Sequence, residues 1–166
     1  IYGGEDPAAI GAFSLAEVAH HLQLPPTTVR SWTHGRPYPS RTGQRHFAPI
    51  ISIERDGVLT FQNLIEIHVL SALRRKYLVR LAAVRKAVAY LRREFRSTHP
   101  LADHQMHTDG KDLFVKHYGQ LINATRDGQL ALRDLLDRYL KRVEREGALA
   151  VRLYPFAGLH EDDDRP

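Results

Sequence analysis

The spacing of apolar residues predicts two short helices near the beginning of the chain. Ser14 and Glu17 have the spacing of a capping box, and the apolar residues that follow Ser14 share one helical face. A helix is therefore predicted from Leu15 to the prolines at 25–26, because a residue that precedes proline avoids the α region. A second short helix is predicted from there to Gly35, with proline at its first position, where no hydrogen bond is lost.

Residues 36–60 are rich in proline, glycine, serine, arginine and aromatic residues, which indicates strands and loops. Asp56-Gly57 is a dipeptide typical of tight turns, and apolar residues stand on both sides of it. These apolar residues are Ile50, Ile51, Ile53, Val58 and Leu59. A β-hairpin is therefore predicted around Asp56-Gly57.

Two longer helices are predicted next. The first is capped by Thr60, extends to about Tyr77, and is apolar on nearly all sides, as a central buried helix would be. Its apolar residues are Leu64, Ile65, Ile67, Val69, Leu70 and Leu73. The second, from about Leu81 to Arg96, has a narrow apolar stripe with heptad-like spacing, formed by Leu81, Val84, Val88, Leu91 and Phe95. Over so short a length this spacing favours a core-facing helix, and a dimer seam is the alternative.

Beyond residue 97 the pattern predicts a hairpin, a helix and a final strand. Two short apolar segments flank Tyr118-Gly119-Gln120, which is typical of a hairpin turn. A helix is predicted from about Gln129 to Glu146, and its apolar face consists of Leu132, Leu135, Leu136, Tyr139, Leu140 and Val143. Residues 149–156 are predicted to form a strand that stops at Pro155.

The charge of the chain is unevenly distributed. Of its 166 residues, 43% are apolar and 26% charged, which is ordinary for a soluble globular protein. Residues 1–97 contain 14 basic and 7 acidic residues, whereas residues 98–166 contain 10 and 12. The first part is therefore expected to meet an anionic partner and the second part a different one.

Composition excludes several classes of protein. The chain has no cysteine, which excludes disulfides, zinc–thiolate sites and thiol catalysis. No apolar run approaches the roughly 20 residues of a transmembrane helix, and no secretory leader opens the chain, so we expect a soluble, cytoplasmic protein with no membrane partner. Because the chain starts at Ile1 and ends in a linker-like acidic segment, we expect both ends of the natural protein to be longer.

Three motifs in the basic first part resemble MerR-type DNA-binding domains. They are Phe13-Ser14-Leu15-Ala16-Glu17-Val18-Ala19, Leu24-Pro25-Pro26-Thr27-Thr28-Val29-Arg30-Ser31-Trp32, and the wing-like Gly43-Gln44-Arg45-His46-Phe47. The helices predicted over 60–77 and 81–96 are similar to the third and fourth helices of that family. The resemblance implies a winged helix-turn-helix, whose second helix lies in the major groove. Residues 36–42 lengthen the approach to the wing, and residues 48–59 add a hairpin after it.

The complete layout resembles VapB-type antitoxins, which occur beside PIN-domain VapC-type ribonucleases. It consists of the MerR-like head, leucine-rich middle helices, the stretch 107–115, a helix, and the stretch 151–156. The resemblance implies a non-enzymatic homodimer that binds its own promoter and neutralises the toxin, without a cofactor. A MerR-like regulator in which residues 98–156 form a ligand-sensing module, with no toxin, is the alternative.

These inferences give a mainly α fold with small β-hairpins in three parts. Residues 12–96 form a MerR-like winged helix-turn-helix, residues 97–156 a toxin-binding or dimerisation module, and residues 157–166 an acidic linker or tail.

Candidate DNA contacts lie in the predicted second helix and wing. Arg30 is the strongest candidate for a base contact and Arg36 the second, while residues of the first helical turn are expected to meet phosphate. Wing residues are expected to contact the DNA backbone or minor groove, and a solvated surface is the alternative for both groups. The candidates are Thr27, Thr28, Arg30, Ser31, Thr33, Arg36, Arg41, Gln44 and Arg45.

Candidate toxin contacts lie in the final strand, where Arg152, Tyr154 and Phe156 combine a cation with aromatic anchors. An arginine or an exposed strand could plug the acidic pocket of a PIN nuclease. In the alternative interpretation, the strand completes a small sheet of its own domain.

Other chemically suggestive residues are assigned structural roles. Trp32 and Phe47 are predicted to pack the head, and His68 to be a hydrogen-bonded core histidine. Asp134 is predicted to share an ion-paired helix face with neighbouring charges. His104 and His107 lack the spacing of a metal site, so no metal site and no catalytic residue is predicted.

Overall fold

Six α-helices, two short 3-10 helices (Pro7–Ala9 and His104–His107) and three two-stranded antiparallel sheets make up the described part of the chain, which in the computed structural model comprises residues 7–54, 57–76 and 80–156. The helices are α1 (Leu15–His21), α2 (Pro26–His34), α3 (Phe61–Lys76), α4 (Leu81–Phe95), α5 (Gly110–Ile122) and α6 (Arg126–Leu140). The strands are β1 (Gly11–Phe13), β2 (Arg36–Ser40), β3 (Gly43–Phe47), β4 (Leu59–Thr60), β5 (Val143–Glu146) and β6 (Leu149–Leu153). The pairs are β1 with β4, β2 with β3, and β5 with β6. The mainly helical fold with small hairpins is confirmed.

Both short helices begin where the sequence predicts and α2 also ends there, whereas α1 ends at His21, before the prolines at 25–26. The Ser14 hydroxyl accepts a hydrogen bond from the Glu17 amide at 3.2 Å, and the Glu17 carboxylate accepts one from the Ser14 amide at 2.6 Å. Pro26 occupies the first turn of α2, and Gly35 ends that helix with φ of +73°. The two short helices and the capping box are therefore confirmed.

Residues 36–60 form a different hairpin from the predicted one. Residues 36–40 do not extend an approach to a wing, because they are strand β2 and pair with β3. The amides of Ile50 and Ile51 donate to the Trp32 carbonyl at 2.8 and 2.9 Å, which satisfies a free carbonyl at the end of α2. Strand β4 pairs with β1, so the prediction of a hairpin between residues 50–53 and 58–59 is wrong; Asp56 itself lies outside the described residues.

Helix α3 is the buried centre of the fold. Thr60 and Asn63 cap it reciprocally, with amide-to-side-chain distances of 3.0 and 3.1 Å. All six apolar residues predicted for it are buried, and the most exposed of them has 6% of its surface accessible. The prediction of a central buried helix is confirmed.

Helix α4 turns its apolar stripe inward. Val84, Val88 and Leu91 are at most 1% exposed, and the helix packs against α5. Leu81 and Phe95, at the two ends of the stripe, keep part of their surface accessible. The core-facing interpretation is confirmed, and this stripe does not form a dimer seam.

The predicted hairpin at residues 113–125 is wrong. This segment is helix α5, with Phe114 and Tyr118 one turn apart and both buried. Gly119 does not mark a turn: a Cβ there would lie 2.9 Å from side-chain atoms of Gln129, so glycine allows α6 to approach α5 closely. The helix ends at Asn123, which has φ of +53°.

The last helix and strand are displaced from their predicted bounds. Helix α6 starts earlier, at Arg126, because the Thr125 hydroxyl accepts a hydrogen bond from the Gly128 amide at 3.1 Å. It also ends earlier, so that Val143 belongs to β5 and not to the helix. The predicted final strand is present as β6, which ends at Leu153.

One hydrophobic core extends across residues 96–97. Its members include Val18 and Val29 before this point and Phe114 and Leu136 after it. Helix α3 packs against α6, as α4 does against α5. The proposed division into 12–96 and 97–156 therefore separates segments that share a core, and the segment 157–166 lies outside the described residues.

A buried polar pair joins α3 to the segment that follows α4. His99 Nδ1 lies 3.0 Å from a carboxylate oxygen of Glu66, and these residues are 6% and 0% exposed. Burial raises the pKa of Glu66, while the contact with His99 opposes that rise. This pair was not predicted.

The predicted core histidine is confirmed. His68 is 1% exposed, and its Nε2 lies 3.2 Å from the carbonyl oxygen of Tyr139 in α6. Burial, together with the charges of Arg142 and Arg75, lowers the pKa of His68 from 6.5 to about 4, although the contact with the Tyr139 carbonyl opposes this shift. The neutral imidazole donates to that carbonyl.

Acidification is expected to destabilise the fold through His68. The unfolded chain binds the proton more tightly, so stability is lost as the pH falls from about 6.5 towards about 4. We expect His68 to account for a loss of roughly 2 kcal/mol between about pH 7 and about pH 5. Urea unfolding at the two pH values tests this: the loss should shrink by that amount in His68→Gln, and equal losses in both proteins would contradict it.

Substitution of Gly35 is expected to disrupt the connection between α2 and β2. A Cβ at Gly35 would lie 2.1 Å from the Phe47 carbonyl oxygen, at a backbone conformation that favours glycine. Gly35→Ala should therefore lower the free energy of unfolding by about 3 kcal/mol or more.

Gly147→Ala is the matched control, because Gly147 has φ of +62° but open space around its Cβ position. Gly147→Ala should lower the free energy of unfolding by only about 1 kcal/mol, which is the cost of placing alanine in a left-handed backbone conformation. Equal losses for the two variants in urea unfolding would refute the steric explanation.

Candidate nucleic-acid interface

Helix α2 has a buried side and an accessible side. Val29 and Trp32 are 0% and 2% exposed and pack in the core, whereas Thr27 and Arg30 are exposed. The structural role predicted for Trp32 is thereby confirmed. The accessible side of α2 forms one wall of a groove.

The groove is lined by arginines from four different elements or their ends. It has a volume of about 850 Å³ and lies between α2, the β2–β3 hairpin and the start of α4. Its arginines are Arg30, Arg36, Arg74, Arg80 and Arg85. No aspartate or glutamate occurs among the described lining residues, so the groove favours an anionic ligand.

Four of the predicted DNA contacts from α2 and the start of β2 meet in this groove. They are Thr27, Arg30, Ser31 and Arg36. Thr28 also lines the groove, but it is 8% exposed and its hydroxyl accepts a hydrogen bond from Arg74. Thr33 is 2% exposed and its hydroxyl donates to the Val29 carbonyl at 2.9 Å, so Thr33 does not line the groove.

The predicted contacts in the hairpin lie beside the groove. Arg41 is exposed at the tip of the hairpin, in the turn between Ser40 and Gly43. Arg45 is paired with Tyr38 and is on the same face of the hairpin as Phe47, whereas Gln44 is on the opposite face. Only Arg45 therefore continues the face that adjoins the groove.

Three of the groove arginines were missed. Arg74 lies near the end of α3, and Arg80 and Arg85 lie at the N-cap and in the second turn of α4. None of the three is among the DNA contacts predicted from the sequence. Local pattern carries no signal for their position, because it depends on how α3 and α4 pack beside α2.

Phe47 is surrounded by cations and a second ring. Tyr38 stacks on it with a centroid distance of 4.1 Å, and the guanidinium carbons of Arg85 and Arg36 lie 5.2 and 5.6 Å from its centroid. Arg85 Nε also donates to the Ala48 carbonyl at 2.7 Å. Burial and the charge of Arg36 lower the pKa of Arg85. Phe47 therefore packs within the hairpin and against α4 in the groove wall, and the prediction that it packs the core of the head is not borne out.

The three candidate toxin contacts do not form one cluster. Arg152 donates to the Tyr154 hydroxyl at 3.0 Å, and that hydroxyl donates to Glu144 of β5 at 3.0 Å, on an exposed surface. Phe156 instead lies under the guanidinium of Arg75 at 5.9 Å and lines a shallow groove on α1.

Two acidic residues, Asp112 of α5 and Asp137 of α6, form ion pairs with neighbouring cations, whereas no ion pair is shown for Asp134 in the part of the chain that the structure describes. Asp137 lies 2.6 Å from Lys111 and 3.0 Å from Lys141, and the Lys111 contact is the main cause of a lowered pKa for Asp137. Asp112 pairs with Arg133 between the two helices. Within the described residues, no three histidine, aspartate or glutamate side chains converge on a metal-sized site.

Comparisons with protein-family models, with curated proteins and with solved structures found no match to this chain. Over the described residues, no helix combines the length and the apolar character that crossing a bilayer requires.

Proposed function

We propose that this protein is an antitoxin that represses its own promoter by binding double-stranded DNA and neutralises a PIN-domain ribonuclease. The DNA-binding half rests on one observation: five arginines line a groove beside the accessible side of α2, with no carboxylate among the described lining residues. A duplex carries one negative charge per about 1.7 Å of its axis, so this charge attracts it and strengthens binding through counterion release.

In this proposal α2 is the recognition helix of a winged helix-turn-helix, and β2–β3 is its wing. Thr27 and Ser31 are short, which allows the backbone of α2 to approach the duplex closely. Arg30 is long enough to donate two hydrogen bonds to a guanine edge. Arg45 extends the positive charge along the hairpin towards the backbone or minor groove.

A homodimer is part of the proposal, because one small head reads a short half-site and rarely binds tightly enough alone. The centre of the apolar stripe of α4 is buried in the core of the protomer, so we place the dimer surface elsewhere.

The toxin-binding half of the proposal is carried by the VapB resemblance and by the exposed surface of β5–β6. The Arg152 side chain is 65% exposed and is held by Glu144 and Tyr154. An arginine held in place by neighbours is suited to an acidic, metal-binding nuclease pocket. Phe156 lies near Arg75 and α1 and does not add to this surface.

Charge reversal at Arg30 is expected to abolish specific DNA binding without unfolding the protein. Arg30→Glu removes the base contact and places a carboxylate against the duplex, which should raise the Kd for the upstream promoter by about 100-fold or more. Gel-shift titration measures this. Arg93→Glu, an exposed charge reversal on α4 outside the groove, should bind nearly as well as wild type, and unchanged binding by Arg30→Glu would refute the assignment of α2.

The toxin surface is best tested by substitution, since deletion of residues 149–166 would remove β6 and uncover Val143. The double variant Arg152→Glu with Tyr154→Ala should weaken inhibition of the proposed PIN-domain ribonuclease partner by about 30-fold. RNA cleavage titrated with the protein measures this. Lys116→Glu is the control for a charge reversal on α5, and full inhibition by the double variant would show that toxin binds elsewhere.

A further inference from the structure

Two guanidinium groups converge on one ring in the groove. Arg36 of β2 and Arg85 of α4 each lie within 6 Å of the Phe47 centroid, at 5.6 and 5.2 Å. Arg36 is directly opposite Phe47 in the hairpin, whereas Arg85 reaches the ring from a separate helix. The two cations therefore meet at the junction between the hairpin and α4.

The charge of this pair is not balanced within the described part of the chain, where neither arginine takes part in an ion pair. Arg85 uses Nε to donate to the Ala48 carbonyl, which leaves its terminal nitrogens as donors. Arg36 is exposed at the groove surface. The two like charges lie over the same ring and repel each other, and Arg36 is, after burial, a cause of the lowered pKa of Arg85.

A structural role explains Arg85 but not Arg36. The hydrogen bond to Ala48 and the contact with Phe47 are enough for Arg85 to attach α4 to the hairpin. Tyr38 stacks on Phe47 at 4.1 Å and Arg85 lies over the same ring, so the ring is already packed without Arg36. Arg36 adds repulsion to this junction, and a bound anion would convert that repulsion into attraction for both residues.

We propose that Arg36 and Arg85 together hold one phosphodiester group of the DNA backbone between the hairpin and α4. This inference rests on the proposed DNA-binding function and specifies one of its contacts. Two guanidinium forks can donate to both non-bridging oxygens of one phosphate. Arg36 is thereby assigned to the backbone, which leaves Arg30 as the arginine that reads a base.

The first experiment measures the salt dependence of duplex binding for Arg36→Gln, Arg85→Gln and the double variant. Each single change should lower the slope of log K against log salt by about 0.9 and weaken binding roughly tenfold near 0.1 M salt. The double variant should be little worse than either single variant, because both residues hold the same phosphate. Arg93→Gln is the matched control and should retain the wild-type slope.

The second experiment measures the melting temperature of the chain without DNA while inorganic phosphate is added. Phosphate should raise the melting temperature of the wild type more than the same concentration of chloride does. This additional rise, the phosphate increment, should vanish in both Arg36→Gln and Arg85→Gln. Arg85→Lys keeps the charge but lacks the fork, so it should lose most of the increment while keeping the wild-type fold by circular dichroism.

The outcomes separate the two proposals. If Arg36→Gln and Arg85→Gln behave like Arg93→Gln in the duplex assay, or if the double variant loses twice the slope of either single variant, the shared phosphate contact is overturned. If wild type binds no duplex but the phosphate increment depends on both arginines, the DNA-binding function fails and the anion site stands.

Discussion

The fold depends on the burial of a helix that is apolar on nearly every side. Ile65 and Val69 lie on one face of α3 and Ile67 on the nearly opposite face, and all three are 0% exposed. Burial of such a side chain contributes about 1.5–3 kcal/mol, so α3 must be covered on all sides to keep this stabilisation. The α1–α2 head and α6 supply parts of that cover, which is why one core joins the beginning and end of the described chain.

The same helix positions the candidate DNA-binding surface. Near its end, Arg74 donates to the Thr28 hydroxyl of α2, and Arg75 donates to the Leu22 carbonyl at 2.6 Å, in the turn between α1 and α2. These contacts orient the head relative to α3, and α4 follows close behind. The groove therefore forms between elements that the core already holds in place, so its arginines converge at little additional cost in conformational entropy.

Polar groups inside this core restrict how it can pack. Glu66 is fully buried on α3, and the contact with His99 at 3.0 Å compensates part of the cost of removing the carboxylate from water. His68 places a second polar group on the same helix against α6. A core of leucine and valine tolerates small shifts of one helix past another, whereas these contacts are lost by such a shift. They define the position of residues 97–103 and α6 on α3.

Local sequence patterns were sufficient to predict the features that depend on neighbouring residues: the capping box at Ser14, the start of α2 at the prolines 25–26, and helices α3 and α4 with their buried positions. These follow from hydrogen bonds and periodicities within a few residues. The helix around Gly119 was not predicted, because the glycine resembles a turn residue in the sequence. The structure shows that this glycine instead allows the close approach of Gln129. The pairing of β4 with β1, and the position of both Arg36 and Arg85 over Phe47, likewise depend on the tertiary structure. These contacts join residues that are far apart in the chain, so they depend on how the elements pack around α3. No local pattern of residues predicts them.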